Sequence, residues 1–258
     1  MIKLMSDNSE ALKASEFDPV LGARIYTLYT CYKNDYPFAK LWVSYDNNNI
    51  TACISIMSGV ATVVAREECN FEELTEFFGN DETIESFEIA DKYAKKLNEF
   101  LKLESRDIPV MIYNPKKEYQ GSKNDVYTDV LHFAYEILKE SDKNFAQTDF
   151  ISWFYDTHKR RKEKLCEVFA LKTGEEWSCT AGYYISSPTC FVIGGVATKP
   201  EYRNNGLASD LTAYIADFLN KREKKVYLAA AKEELIKFYE NIGFSEVYRI
   251  KSLLKEKN

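Results

Sequence analysis

Residues 190–209, CFVIGGVATKPEYRNNGLAS, constrain this chain more than any other stretch. An apolar run from Phe191 to Ala197 has the length and character of a strand, and Pro200 breaks it. The polar segment that follows contains a glycine and opens into a helix with Leu207, Leu211, Tyr214, Ile215 and Phe218 on one face. A helix that begins near Gly206 leaves its first backbone N–H groups unpaired and carries partial positive charge there, so the turn can hold a phosphate without any basic side chain. Gly206 has no Cβ, which permits positive φ and close approach of backbone to an anion, and Ala208 keeps the second approach open.

The rest of the chain reads as two similar runs of elements around a polar, glycine-bearing linker at residues 114–124. A polar leader is expected before residue 18. Helical spacing then covers 18–34, strands cover 38–45, 50–57 and 60–65, and a helix covers 71–78, with Asn70 as its N-cap and Glu72 and Glu73 in its first turn. A strand near 83–88, a helix to about residue 103 and a strand at 110–113 complete the first run. In the second, helices at 130–138 and 150–165 precede strands at 166–171 and 177–186, and the central strand and loop follow. A helix at 207–219, a strand at 226–230, a helix at 233–241 stopped by Gly243, and a final strand or pair of strands at 244–253 end the chain. Both runs are thus helix, three strands, helix, strand, helix, strand. The tetrapeptide Gly-Val-Ala-Thr occurs at 59–62 and again at 195–198, but four common residues recur easily and carry little weight.

Composition excludes several classes. At 258 residues, with 45% hydrophobic and 29% charged side chains, the chain has the make-up of a soluble globular protein with room for a large core. A formal charge of −6 argues against a generic nucleic-acid binder and favours cationic substrates by long-range attraction. Cys31, Cys53, Cys69, Cys166, Cys179 and Cys190 form no C-x-x-C pair and no zinc-like spacing with His132 or His158, so buried reduced thiols and no metal are expected. The two histidines read as ordinary helix residues, and the basic runs 159–162 and 221–225 as solvated helix ends. No apolar run approaches the roughly 20 residues that span a membrane, and MIKLMSDNSE lacks a signal-like apolar region, so a cytoplasmic protein is expected.

At the central loop the residues match a known pattern. Arg203-Asn204-Asn205-Gly206-Leu207-Ala208 resembles the (Gln/Arg)-x-x-Gly-x-(Gly/Ala) pyrophosphate loop of the GNAT superfamily of acyl-CoA-dependent N-acyltransferases. Val196-Ala197-Thr198 and Pro200-Glu201-Tyr202-Arg203 resemble that family's strand-to-loop sequence. The segment from Phe238 to Phe244 resembles its second signature, a Tyr followed by Gly-Phe. Two signatures in the right order, about 35 residues apart and separated by a helix and a strand, are far more specific than either alone. The strong resemblance covers residues 166–244.

The resemblance implies an α/β (α+β) fold of two tandem GNAT-like modules, each a mixed, mostly antiparallel sheet flanked by helices. Residues 1–124 would be a degenerate module, since Val63 to Cys69 offers no glycine for a phosphate loop, and residues 125–258 the N-acetyltransferase domain. The donor would be acetyl-CoA. Its pyrophosphate would meet backbone N–H groups of Asn204, Asn205, Gly206, Leu207, Ala208 and Ser209, with Arg203 shaping the loop or touching phosphate. Its pantetheine would lie along Val196, Ala197 and Thr198, where the N–H of Val196 or a neighbour would face the thioester carbonyl. Tyr239 matches the position that protonates the departing sulfur, and a phenol with a pKa near 10 suits that task. The acceptor would be a primary amine on a small molecule or peptide, with no nucleic-acid or membrane partner and the oligomeric state left open. Two departures stand out. Lys232 occupies a position where many members carry Asn, and Ile193-Gly194-Gly195 lies where several place a Glu, so the general base is left to water or to an acid of the first module. A non-catalytic acyl-CoA-binding module is the alternative, and a tRNA-dependent transferase would need a basic surface that the acidic balance disfavours.

Overall fold

The computed structural model describes residues 1–79, 81–116, 119–230 and 232–255, so Lys117 and Glu118 of the linker lie outside the described residues. The first half comprises β1 (Ile2–Leu4), α1 (Asn8–Phe17), α2 (Leu21–Tyr32), β2 (Ala39–Asp46), β3 (Asn49–Met57), β4 (Val60–Ala65), α3 (Phe71–Phe78), β5 (Ser86–Ala90), α4 (Asp91–Leu101) and β6 (Glu104–Tyr113). The second repeats the order with β7 (Val126–Tyr127), α5 (Leu131–Ser141), α6 (Phe150–Lys162), β8 (Glu167–Thr173), β9 (Glu176–Ser186), β10 (Cys190–Thr198), α7 (Leu207–Asn220), β11 (Lys225–Ala229), α8 (Glu234–Ile242) and β12 (Phe244–Leu254).

The first half departs from expectation at its start. In place of a polar leader, β1 pairs with β2, and α1 is capped by the Asp7 carboxylate, which accepts from the Ser9 and Glu10 N–H groups. Ala11 and Ala14 are fully buried, and α1 meets α2 so closely that a Cβ on Gly22 would fall 1.9 Å from the Ala14 carbonyl oxygen. β5 starts at Ser86, later than residue 83, because Asp81 holds Thr83 in a turn through its N–H (2.9 Å) and hydroxyl. β6 is longer than expected, and β12 is one strand with a bulge between Glu246 and Tyr248.

All twelve strands form one sheet in the order β1-β2-β3-β4-β5-β12-β6-β11-β10-β9-β8-β7. That order is a palindrome of equivalent strands about the β12–β6 pair. Among the described residues, only β4 with β5 and β10 with β11 run parallel. The last strand of each half has crossed to the other: β12 pairs with β5 of the first half, and β6 pairs with β11 of the second. Between them, β12 and β6 form an antiparallel ladder from Phe244↔Tyr113 to Leu254↔Glu104. The Gly-Val-Ala-Thr copies are not equivalent, since one starts β4 and the other ends β10.

Strand alternation sends side chains to two faces. On one face α7 and α8 cover Phe169, Leu171, Phe191, Ile193 and Leu228, and Leu211, Ile215 and Leu219 of α7 are fully buried, each contributing about 1.5–3 kcal/mol. On the other, α5 and α6 cover Val168 and Ala170, while α2 reaches across the centre of the sheet onto β9 and β10. The Thr27 hydroxyl donates to the Ser186 carbonyl (2.9 Å), the Cys190 thiol donates to the Pro19 carbonyl (3.0 Å), and the Tyr248 hydroxyl donates to Asp18 (2.7 Å). The two halves share a core.

Candidate active site

The site forms where β10 leaves β11. Their parallel pairing covers only Cys190–Ile193 with Lys225–Leu228, so from Gly194 to Thr198 the edge of β10 facing β11 is unpaired and the two strands open as a V. On its other side β10 carries a bulge. Gly194 faces Gly182 and Ala197 faces Thr180, which leaves Gly195 and Val196 opposite the single residue Ala181, with Gly195 at φ +60°. A bulge re-aims backbone groups out of the ladder, and only glycine takes that φ without strain.

Beyond Thr198 the chain makes a short 3-10 turn at Pro200–Tyr202 and then the loop. Arg203 shapes it: Nε donates to the Thr198 carbonyl (3.2 Å) and Nη2 to the Ser141 carbonyl at the end of α5 (3.1 Å). Asn204 takes φ +65°, and the Asn205 carboxamide donates to the Tyr202 carbonyl (3.1 Å). Gly206 is the N-cap of α7 at φ +75°, with no side-chain cap on the helix and nothing within 4 Å of where its Cβ would be. Leu207 is buried, and Ala208 and Ser209 complete an open first turn. The result is a helix N-terminus with free N–H groups, partial positive charge and room. Thr198 donates to the Cys179 sulfur (3.4 Å). In the same first turn of α7, Asp210 accepts from Ser122 Oγ (2.7 Å), Asn124 Nδ2 (2.8 Å) and the Lys123 N–H (3.2 Å), which anchors the linker.

The equivalent place in the first half has the opposite character. Asn70 caps α3 by accepting from the Glu73 N–H (3.1 Å), Glu72 and Glu73 fill its first turn with negative charge, and the preceding loop carries Glu67 and Glu68. A cavity of about 270 Å³ lies at the end of β4, but Glu67 is paired with Lys96, and Glu68 with Arg66 at 3.5 Å. A phosphate would meet carboxylates and a capped helix there.

Tyr239 lies on α8, buried between Phe238 and Phe244, with ring centroids 5.0 and 6.1 Å away. Burial pushes its phenol up to about 12. Residues 131–244 match the Acetyltransferase (GNAT) family. These residues are a GNAT domain. The likeness of fold extends over the whole chain. A GNAT-family acetyltransferase from Colwellia psychrerythraea has a TM-score of 0.63 at 12% identity, with 99% of this chain and 100% of that one covered. A tandem GNAT protein from the clavulanic acid biosynthesis pathway gives 0.61 at 10%, covering 100% and 99%. A GCN5-related N-acetyltransferase from Sphaerobacter thermophilus gives 0.63 at 14%, covering 99% and 95%. No curated protein matches the chain. The architecture is that of tandem GNAT modules, as the sequence led us to expect.

Some features of this GNAT domain lay outside the sequence reading. Residues 159–162 are not a solvated run. Arg160 makes a two-point pair with Asp156 (Nε 3.0 Å, Nη2 2.8 Å) and donates to the Tyr184 carbonyl (3.1 Å), and Arg161 binds Asp129 (3.0 Å) and Glu167 (2.9 Å). Tyr184 carries no local sequence signature of its own, and Gly194 and Gly195 beside it are the signal. All six cysteines are buried and free, and burial pushes their thiols up, away from thiolate reactivity.

Proposed function

We propose that the chain is an N-acetyltransferase that moves an acetyl group from acetyl-CoA to a primary amine by direct attack. The observation that carries this reading is the open, uncapped N-terminus of α7 beside the V between β10 and β11. The N–H groups of residues 204–209 would hold the pyrophosphate, and the free edge of β10 at Val196, Ala197 and Thr198 would take the pantetheine arm. Binding would place the thioester beside the bulge, where backbone N–H groups no longer serve the ladder and can face charge that develops on the carbonyl oxygen. The neutral amine attacks the carbonyl carbon, the C–N bond forms and the C–S bond breaks. The electron pair leaves with sulfur, which takes the Tyr239 proton, and the proton shed by the amine nitrogen is returned to Tyr239 through solvent. With Ile193, Gly194 and Gly195 at the bulge, β10 supplies no carboxylate base, so amine deprotonation falls to water.

Thermal unfolding with acetyl-CoA tests the donor site, with ATP as a phosphate control. At a hundredfold excess over the dissociation constant, acetyl-CoA should stabilise the fold by about 2.7 kcal/mol, a rise of several degrees in Tm. Gly206→Asp places a carboxylate where the phosphate would sit, and its left-handed φ of +75° costs an L-residue only about 1–2 kcal/mol, so it should abolish the shift while the protein stays folded. Thiol release with a panel of polyamines, aminoglycosides and peptides would then find the acceptor. No shift with millimolar acetyl-CoA would refute the donor assignment, and a shift without thiol release on any amine would favour a non-catalytic binding module.

A further inference from the structure

Three hydroxyls among the described residues of the second half, those of Ser141, Thr212 and Tyr184, are buried without a hydrogen-bond partner. That of Tyr184 lies against the β10 bulge. Tyr184 is the extra residue at a second bulge, between the pairs Val192↔Ile185 and Ile193↔Tyr183, directly beside the bulge of β10. Its ring packs on the α5/α6 face with Cys166 and Trp153, while its neighbour Tyr183 points to the α7/α8 face.

The ring occupies a niche that three glycines keep open. A Cβ on Gly195 would fall 2.7 Å from Cε2 and 2.9 Å from the hydroxyl oxygen of Tyr184, one on Gly182 would lie 3.3 Å from Cε2, and one on Gly194 would lie 3.8 Å from Cδ2. Any side chain at 195 would displace the ring. The Tyr184 backbone is fixed as well, because its carbonyl accepts from Arg160, itself held by Asp156. A packed ring at a pinned bulge that presents an unmade hydrogen bond is costly for stability, because a buried unsatisfied hydroxyl has lost its water without a replacement. Such a cost is understandable if the missing partner arrives with the substrate.

We propose that the Tyr184 hydroxyl donates a hydrogen bond to the acyl carbonyl oxygen of the substrate at the β10 bulge. The proposal rests on the acyl-transfer reading above. At Gly194 and Gly195 β10 contributes only backbone, so no side chain of that strand separates the hydroxyl from the V. The hydroxyl approaches from the α5/α6 face, opposite to Tyr239, and the two phenols divide the work: Tyr239 gives up its proton to sulfur, whereas Tyr184 keeps its own throughout. Burial pushes the Tyr184 phenol well above its ordinary range, which keeps it a donor at every working pH. Together with a backbone N–H it would make a two-donor site for the oxyanion, and loss of one such donor commonly costs about 10²–10³-fold in kcat.

The test is the infrared carbonyl stretch of carbonyl-¹³C-labelled acetyl-CoA bound to the wild type and to Tyr184→Phe, with equilibrium dialysis for affinity. A donated hydrogen bond weakens the C=O bond, so the wild-type band should lie below that of the variant, while Tyr183→Phe leaves it in place. Tyr184→Phe should bind acetyl-CoA about tenfold more weakly, because the hydroxyl gains its partner only on binding, lose roughly 10²-fold in kcat, and without ligand melt no lower, because the change deletes an unpaired hydroxyl. Identical bands in saturated wild type and Tyr184→Phe would overturn the donor role and leave the transferase reading standing. Absence of any bound carbonyl band in the wild type would overturn both.

Discussion

Tyr32 of the first half donates a hydrogen bond to Asp156 of the second, 2.5 Å from oxygen to oxygen. Asp156 holds Arg160, and Arg160 holds the carbonyl of Tyr184. A line of contacts therefore runs from α2 through α6 to the bulged strands of the candidate site. The half whose α3 is capped by Asn70 thus helps to fix the geometry of the half whose α7 is uncapped.

The links in that line differ in strength. Asp156→Ala would leave the Arg160 guanidinium, 13% exposed, without its carboxylate, which should cost about 3 kcal/mol. Tyr32→Phe leaves the ion pair intact and should cost about 1 kcal/mol. Urea unfolding of the two variants measures both, and equal losses would show that the ion pair is not the dominant link.

Tyr239 lends itself to a pH experiment. With its phenol pushed up to about 12 by burial, it remains a proton donor across the alkaline range in which an ordinary tyrosine ionises. Under saturating substrates kcat should not fall between about pH 9 and 10.5, and Tyr239→Phe should lower it by roughly 10²-fold with acetyl-CoA affinity unchanged. An alkaline limb near 10 that vanishes in the variant would show a solvated phenol instead.

Asp18 makes stability depend on acidity. Burial raises its carboxyl above the ordinary 3.8, against the opposing influence of hydrogen bonds from Tyr248 and from the Leu21 and Val20 N–H groups. The folded state thus favours the protonated form. That contribution is complete below the unfolded value and is lost as pH rises through the raised folded value. In Asp18→Asn the amide oxygen can accept the same three hydrogen bonds without a buried charge. The variant should gain stability relative to the wild type as pH rises from 3 to 7, measured by urea unfolding at each pH. A constant difference would mean that the carboxyl titrates alike in both states.

How much of this was written in the sequence varies by element. The strand, break, loop and helix of residues 190–220 were legible because each is punctuated by its own residues: Pro200 at the turn, Gly206 at the N-cap, and leucines and isoleucine at helical spacing. α1 was not, because it is buried through Ala11 and Ala14 against Gly22, and small side chains that allow close approach leave little hydrophobic periodicity. The basic run 159–162 misled for a related reason, since charge alone does not reveal that Asp156 and Tyr184 wait beside Arg160. Nor does any local feature of Ile250 or Ile108 say that these two will face each other across the centre of the sheet.

The crossing of the last strands also determines when this protein can come into being. β5 is made before any element of the second half, yet its partner β12 follows all the others of that half. Until then the edge of β5 lacks its native partner, and an open strand edge is a surface prone to aberrant association. Folding of both halves converges on one late, long-range event, which favours slow and all-or-none assembly. A nascent chain stopped before Phe244 would lack β12, and with it one strand of the central pair of the sheet.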